Sequence, residues 1–354
     1  MRPIIAIPTL NEAAHIAEVI AQLSTALEDG QPPEIWVLDG GSSDGTREIV
    51  TALGLAHVWL IENPGRTQAH ALNLAASRAA ARGEAELLIR ADAHAGYGAD
   101  YVAAIRDALV ASGADSVVVP LRTVGGTRVQ DAAAILFSSW LGTGGSPHRG
   151  ATRAGPVEHG HHAGFRLSAF IEAGGYDTGF RANEDAEFDR RLTARGGRIQ
   201  MEPRATVDYS PRRSFGATFR QYARNGTGRI MTAVKHRTGL KPRQLLPALL
   251  LPILVAAGAL SLLAGWAFAL LPMGYLLAVL GASARLAWRV DRRDLVLVVF
   301  GLALMAHLGF SLGATGELLR AAVRPAHRRW LRMDGDRLIP APCASEAAQQ
   351  CPRR

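Results

Sequence analysis

The first two hundred residues alternate between short apolar runs and stretches whose apolar positions recur every three or four residues. Residues 3–7 form such a run, and Ile16, Val19, Ile20, Leu23 and Leu27 then follow at helical spacing. Residues 34–38 predict a strand and about 44–53 a helix. Residues 58–61 predict the next strand and about 67–82 its helix. A fourth strand is expected at 86–89, a helix marked by Val102, Ile105 and Leu109, and a fifth strand at 116–120. Strands alternating with helices predict an α/β fold with a mainly parallel, Rossmann-like sheet covered on both faces. Ligands of such sheets bind outside the carboxyl ends of the strands, so the residues just after each strand are the informative ones.

The pattern changes beyond residue 211. Residues 212–243 hold nine basic residues and no acidic one, and residues 244–284 run for 41 positions without a charge. That is twice the roughly 20 residues needed to span a bilayer core. Two helices are expected, about 245–263 and 266–286, with a tight turn near Gly265. A third uncharged run, 295–316, has His307 as its one titratable group. Buried helices of soluble proteins seldom stay uncharged on every face, so these runs are read as membrane helices. The expected organisation is a head of residues 1–211, a basic amphipathic neck of 212–243 at the membrane interface, a membrane domain of 244–318 and a basic tail of 319–354. Residues 141–156, rich in Gly, Pro and small side chains, are expected to be a loop.

Charge sharpens this division. The head carries 18 basic against 25 acidic residues, whereas 244–354 carries 12 against six, and the whole chain of 354 residues has a net charge of +8. A nucleic-acid binder would place its positive charge on the folded head, so that class is excluded. Basic residues beside apolar segments suit anionic lipid headgroups instead. The neck and the loop 285–294 are basic and belong inside the cell. Three crossings would put the basic segment 320–337 outside, against that rule, so either the segment is an exception or one apolar run does not cross. Residues 1–8 leave no room for a signal peptide, which places the head in the cytoplasm. The two cysteines, Cys343 and Cys351, both lie in the tail, which excludes a disulfide scaffold and a cysteine-rich zinc site.

Acidic and amide residues cluster after the strands. Pro8-Thr9-Leu10-Asn11-Glu12 follows the first, Asp39-Gly40-Gly41-Ser42-Ser43-Asp44-Gly45-Thr46 the second, and Arg90-Ala91-Asp92-Ala93-His94 the fourth. Carboxylates there can accept hydrogen bonds from a base or ribose, and the glycines let backbone approach closely. The plainer reading of the second cluster is a turn with Ser43 or Asp44 capping a helix. Asp92 and His94 share one side of an extended segment and can hold Mn²⁺ or Mg²⁺, or be a solvated turn. Glu184 and Asp185, after Asn183, sit where a helix begins. They either complement its dipole or supply a general base. His159, His161 and His162 lack a fourth zinc ligand at a supporting spacing. Gln221 and Arg224 share a helix face in the neck, where they reach a diphosphate or only line a basic interfacial helix.

In this order, PTLNE, DGGSSDGT, a D-x-D-like element, GGYD followed by NED, and a Q-x-x-R element resemble the family 2 glycosyltransferases, and more closely their succinoglycan-biosynthesis branch. The resemblance covers about residues 3–235. It implies a GT-A fold followed by transmembrane helices, and an inverting, metal-dependent hexosyl transfer. By the same resemblance Pro8, Thr9, Glu12, Asp39, Arg66 and Asp92 bind the nucleotide-sugar, Asp92 and His94 the metal (Mn²⁺ or Mg²⁺). Asp185 is the implied base with Glu184 beside it, and Gln221 and Arg224 meet the acceptor or diphosphate. Two departures stand out: His94 replaces the second aspartate, and Asn225 ends the Q-x-x-R element where processive synthases carry Trp. A single addition therefore fits better than chain extrusion. The implied reaction moves a hexose, glucose foremost, from a UDP-sugar to a polyprenyl-linked oligosaccharide in exopolysaccharide or cell-surface glycan synthesis. It is placed at the cytoplasmic membrane, multi-pass, with the catalytic domain facing the cytoplasm. Transfer to a polyprenyl phosphate itself is the alternative. A catalytically degenerate scaffold is the non-enzymatic one, prompted by His94 and opposed by Asp39, Asp92 and Glu184–Asp185.

Overall fold

The computed structural model describes residues 3–25, 27, 30–83, 85–144, 153–240 and 242–324. They begin with β1 (Pro3–Thr9), α1 (Ile16–Leu23), β2 (Glu34–Asp39), α2 (Thr46–Ala52), β3 (Val58–Glu62), α3 (Gln68–Arg82) and β4 (Leu87–Arg90). Next come β5 (Gly96–Tyr97), α4 (Tyr101–Ser112), β6 (Ser116–Val119), β7 (Leu121–Thr123), α5 (Arg128–Phe137) and α6 (Trp140–Thr143). Then follow β8 (Gly155–Pro156), β9 (His161–Arg166), α7 (Leu167–Glu172), α8 (Glu184–Ala194), β10 (Ile199–Met201) and β11 (Val207–Tyr209). Four long helices end the described chain: α9 (Phe215–Lys235), α10 (Pro242–Leu263), α11 (Leu270–Arg289) and α12 (Val296–Val323).

Two compact units result. Among the described residues the first holds 3–122 and 153–209, the second 123–144 and 210–324. Residues 123–144, counted with the head when the chain is cut at 211, thus fall in the second unit.

The first unit is built on an eight-stranded sheet in the order β3-β2-β1-β4-β9-β6-β10-β8. β1, β2, β3 and β4 pair in parallel, as the alternation of strands and helices predicts. β9 lies antiparallel between β4 and β6, and the edge strand β8 is antiparallel to β10. Successive side chains of a strand point to opposite faces, and the packing follows that rule. Ile5 and Ile7, Ile35 and Val37, and Leu87 and Ile89 join one buried cluster with Ile16, Val19 and Ile20 of α1 and Val102, Ile105 and Leu109 of α4. Ile4 and Ala6, Trp36 and Leu38, and Leu88 join the opposite cluster, with the alanines of α3 and Phe165, Phe170 and Phe188. Burial on both faces explains why these strands read as continuous apolar runs. α1 stops at Leu23 rather than Leu27, because the chain turns at Ser24, yet Leu27 still packs on the same core.

In the second unit, Ala132, Ala133, Leu136 and Phe137 of α5 pack with Val279 of α11 and Leu295, Val299 and Leu302 at the start of α12. Three stretches, Gln244–Leu263, Trp266–Arg289 and Arg293–Val323, are long and apolar enough to cross a membrane by length and composition. The third outruns the uncharged segment 295–316 and takes in Glu317 and Arg320, which pair at 2.8 Å. Trp140–Thr143 is a helical turn rather than loop, and Gly155–Pro156 is a strand at the sheet edge. Residues 145–152 of the expected loop, and the tail beyond 324, lie outside the described residues.

Candidate active site

Thr9 lies opposite Asp39 where β1 and β2 end, so the two following loops leave the sheet side by side. Each loop satisfies the other. The Asn11 N–H donates to Ser42 Oγ at 2.9 Å and the Ser43 N–H donates to Asn11 Oδ1 at 2.9 Å. Asn11 does this from a left-handed backbone, φ 57°, which Asn tolerates better than most residues. The Glu12 N–H donates to Thr46 Oγ1 at 2.9 Å. Asp39 is fully buried and accepts from the N–H groups of Gly41 and Ser42 and from the Arg47 guanidinium. Burial works to raise its carboxyl, but the hydrogen bonds of Ser42, Gly41 and Arg47 outweigh it and hold the group below the usual carboxylate range. Gly45 holds the N-cap position of α2 in a left-handed conformation, while the Asp44 carboxylate accepts from the Thr46 N–H at 3.1 Å and so covers the start of the helix. Pro8 is half-buried in β1, and the buried Thr9 donates its hydroxyl to the Ile7 carbonyl at 2.9 Å.

Arg66 closes over this corner from the loop after β3, with φ 58°. A Cβ added to Gly40 would stand 3.3 Å from Arg66 Cα, and one on Gly41 would stand 3.4 Å from its Nη2. The two glycines are thus the space into which Arg66 fits, and Gly41 needs its freedom twice, since its φ is 90°.

After β4, Asp92 and His94 part company. His94 Nδ1 lies 2.8 Å from Glu12 Oε1, which joins the loop after β4 to the loop after β1. Asp92 Oδ1 accepts from Arg90 Nε and Nη2 at 3.2 and 3.1 Å, while its Oδ2 stands 3.8 Å from His161 Nε2. Burial works to raise the Asp92 carboxyl, yet Arg90, His161 and His94 bring it down to about 2. Burial and the Arg90 charge bring His161 down to about 4, so its imidazole is neutral. Among the described residues no group of three or more His, Cys, Asp or Glu side chains is arranged to hold a metal ion. Two ligands suit a divalent ion whose shell is finished by diphosphate oxygens and water. An imidazole whose second nitrogen meets a carboxylate is the usual arrangement for a metal-ligating histidine. The donor chemistry of Asp92 and of His94, with Glu12 behind His94, suits such an ion.

Asn183, left-handed at φ 60°, turns the chain into α8 so that Glu184 and Asp185 open the helix. Gln68, at the start of α3, donates to Glu184 Oε1 at 3.0 Å. Burial and the Asp185 charge push Glu184 up to about 7. Burial acts on Asp185 in the same sense, but His159, His162, Arg90 and the N–H of Ala186 outweigh it and keep the carboxylate ionised. Behind the pair runs a buried chain of hydrogen bonds. His159 Nδ1 and His162 Nε2 meet the two oxygens of Asp189 at 2.6 and 2.7 Å. His162 Nδ1 lies 2.6 Å from the Tyr176 hydroxyl, which stands in the field of the Arg90 charge. The histidines of the HxHH stretch are thus bound up with Asp189, which accounts for two of them without zinc.

The first unit therefore brings Thr9, Glu12, Asp39, Arg66, Asp92, His94, Glu184 and Asp185 to the ends of β1, β2 and β4 and the N-termini of α3 and α8, linked by the contacts above. Gln221 and Arg224 belong to the second unit, one turn apart on α9, with Arg224 exposed. Sequence reasoning missed Arg90, whose guanidinium is buried among Asp92, Tyr176, Glu184 and Asp185. It also missed Gln68, Tyr176 and Asp189. Arg90 had one readable sign, a charge ending an apolar strand two residues before a candidate ligand.

Comparison with known proteins gives the family and the fold. The model of the family described as "Glycosyl transferase family 2" matches residues 4–174, and that of "Glycosyl transferase family group 2" matches 111–309. The chain is 40% identical to the succinoglycan biosynthesis protein ExoA of Rhizobium meliloti (strain 1021) over 321 residues, 89% of this chain and 94% of that one. Among solved structures it resembles a mannosyltransferase, PcManGT from Pyrobaculum calidifontis, in complex with GDP-Man and Mn²⁺. The TM-score is 0.54 at 22% identity, over 86% of each chain, a likeness of fold.

Proposed function

The chain belongs to glycosyltransferase family 2 and has the GT-A fold, and from that premise we propose that it is a membrane-anchored, inverting hexosyltransferase. The donor is a UDP-sugar, UDP-glucose foremost, and the acceptor a polyprenyl-linked oligosaccharide in exopolysaccharide synthesis, as the name of its succinoglycan relative suggests. The catalytic unit faces the cytoplasm from the inner membrane. The observation that carries this reading is the buried guanidinium of Arg90, hydrogen-bonded to Asp92 at 3.1 Å and lying in the field of the Glu184–Asp185 pair.

In this mechanism Thr9, Glu12, Asp39 and Arg66 hold the nucleotide in the corner between the first loops. Asp185, ionised, accepts the proton of the acceptor hydroxyl while that oxygen attacks the anomeric carbon. The new C–O bond forms opposite the departing diphosphate, so an α-linked donor yields a β-linked product. Glu184, which accepts from Gln68, keeps its proton to higher pH than an ordinary carboxyl and so spares Asp185 a second full negative charge. Mn²⁺ or Mg²⁺, held by Asp92 and His94, would neutralise charge on the leaving diphosphate. Gln221 and Arg224 are assigned to the acceptor or diphosphate.

The test uses the purified full-length protein with labelled UDP-glucose, Mn²⁺ and lipid extract. The expected product is a lipid-linked glycan one β-hexose longer. Failure to transfer from any nucleotide-sugar, or transfer with retention, would overturn the reading.

A further inference from the structure

α9 lies against α12, and the two helices run in the same direction. Phe215 meets Gly301, Phe219 meets Gly309, Ala223 meets Gly313, and Ile230 packs with Ala314. A Cβ on Gly309 or Gly313 would overlap the α9 backbone, and one on Gly226 would overlap the α12 backbone at Phe310. Thr227 donates its hydroxyl to the Gly313 carbonyl at 3.2 Å. No side chain separates the helices there, so they share one depth in any membrane.

That depth conflicts with a crossing by α12. If the uncharged run 295–316 spanned a core about 30 Å thick, its midplane would fall near residue 306. At a rise of about 1.5 Å per residue, Gly309 would then lie only ~5 Å past the midplane and Gly313 ~11 Å. Arg220 and Arg224, each next to an α9 residue that touches these glycines, are both exposed on the helix surface. They would face hydrocarbon, at a cost of about 2.5–3.5 kcal/mol for each arginine near the centre of the bilayer. α12 also has a different surface from its neighbours. Inside the protein 39% of its apolar window is buried, against 11% for each of the other two stretches. The barest apolar side chains, Leu262, Leu263 and Trp266, lie on α10 and the turn after it, while on α12 Leu297 and Val323 stand bare at its two ends.

We propose that α9 and α12 lie together at the lipid headgroups of the cytoplasmic face, with Arg220 against anionic headgroups and Arg224 at the same level, where the phosphates of a lipid-linked acceptor lie, and that the chain leaves α12 on that same face. The element that enters the hydrocarbon is α10 with its turn and the start of α11. The basic segments 212–243, 285–294 and 320–337 then share one side of the membrane, and the positive-inside rule holds for all three. The inference rests on the membrane anchoring proposed above.

The protein carries its own probe, because Cys343 and Cys351 are the only cysteines in the sequence. In right-side-out vesicles under reducing conditions, a membrane-impermeant maleimide is expected to label them only after lysis. Labelling of sealed vesicles would place the tail outside and overturn the proposal. In a Cys343→Ser/Cys351→Ser background, Arg220→Cys is expected to label in sealed inverted vesicles. Protection of Arg220→Cys from both sides would put α9 in hydrocarbon and overturn it as well. Recovery of the protein in the soluble fraction would instead sink the membrane anchoring itself, and this inference with it.

Discussion

His162 Nε2 and Asp189 Oδ1 lie 2.7 Å apart in the interior, with the imidazole fully buried and its other nitrogen on the Tyr176 hydroxyl. Asp189 stands one helical turn after Asp185, on the same face of α8. The pair therefore fixes Tyr176, and Tyr176 meets the guanidinium of Arg90 that holds Asp92. Asp189→Ala leaves two imidazoles facing a void, and is expected to lower stability by about 3–5 kcal/mol. Tyr176→Phe removes one hydroxyl and is expected to cost about 1–3 kcal/mol. Denaturation followed by tryptophan fluorescence measures both. Asp189→Ala within 1 kcal/mol of wild type would mean that the buried chain does not organise this side of the site.

The two acids at the start of α8 are expected to differ in kind. Asp185→Asn removes the proposed base and should lower kcat by about 10²–10⁴. Glu184→Gln should be much milder and should alter the pH profile instead. Glu184, raised to about 7, loses its proton as the pH rises through that value. A second negative charge then appears beside Asp185 and the bound diphosphate, so kcat/KM is expected to fall above pH 7. Glu184→Gln keeps the position neutral and should extend the plateau to higher pH. A wild-type profile that rises through pH 7, lost in Glu184→Gln, would make Glu184 the base.

Strands β1 to β4 were legible as short apolar runs buried on both faces, and helices α1 to α4 because each buries a face whose period shows in the chain. β9 was not. Its sequence, His-His-Ala-Gly-Phe-Arg, breaks the apolar pattern, and His162 is buried only because partners 14 and 27 positions further on satisfy it. Gly164 is there for α4, since a Cβ would run into Ile105. The same limit hid Arg90. A charge at a strand end reads as solvated until Asp92, Tyr176, Glu184 and Asp185 surround it in space. Asp39, by contrast, was picked out correctly as a strand-end carboxylate, but the chain alone did not reveal how fully its own turn and Arg47 occupy it. Local spacing tells which residues share a face; it does not tell which distant loop supplies the counter-charge.

The contact between Glu12 and His94 makes a prediction about metal. A carboxylate behind a ligating imidazole fixes the ring and raises its basicity, and losing it usually costs about 10–100-fold in metal affinity. Glu12→Gln keeps the size of the side chain and removes its charge. Calorimetric titration of Mn²⁺ into protein saturated with UDP is expected to show that loss of affinity beyond any weakening of UDP binding, which is measured separately in the presence of chelator. Equal Mn²⁺ affinity in Glu12→Gln and wild type would remove His94 from the metal site, or Glu12 from its support.

Two glycines three residues apart on α12 separate packing from helix propensity. A Cβ on Gly313 would overlap the backbone of Ala223 on α9, whereas one on Gly316 meets nothing within 4 Å. Gly313→Ala should force the helices apart and cost about 1–3 kcal/mol, the usual penalty for overpacking. Gly316→Ala changes no contact and removes a poor helix former, so it should stabilise α12 by up to about 1 kcal/mol. Thermal unfolding in one detergent compares the two directly. Opposite shifts in Tm are expected; if both variants were equally stable, α9 and α12 would not be joined backbone to backbone, and Arg220 and Arg224 would say nothing about the depth of α12.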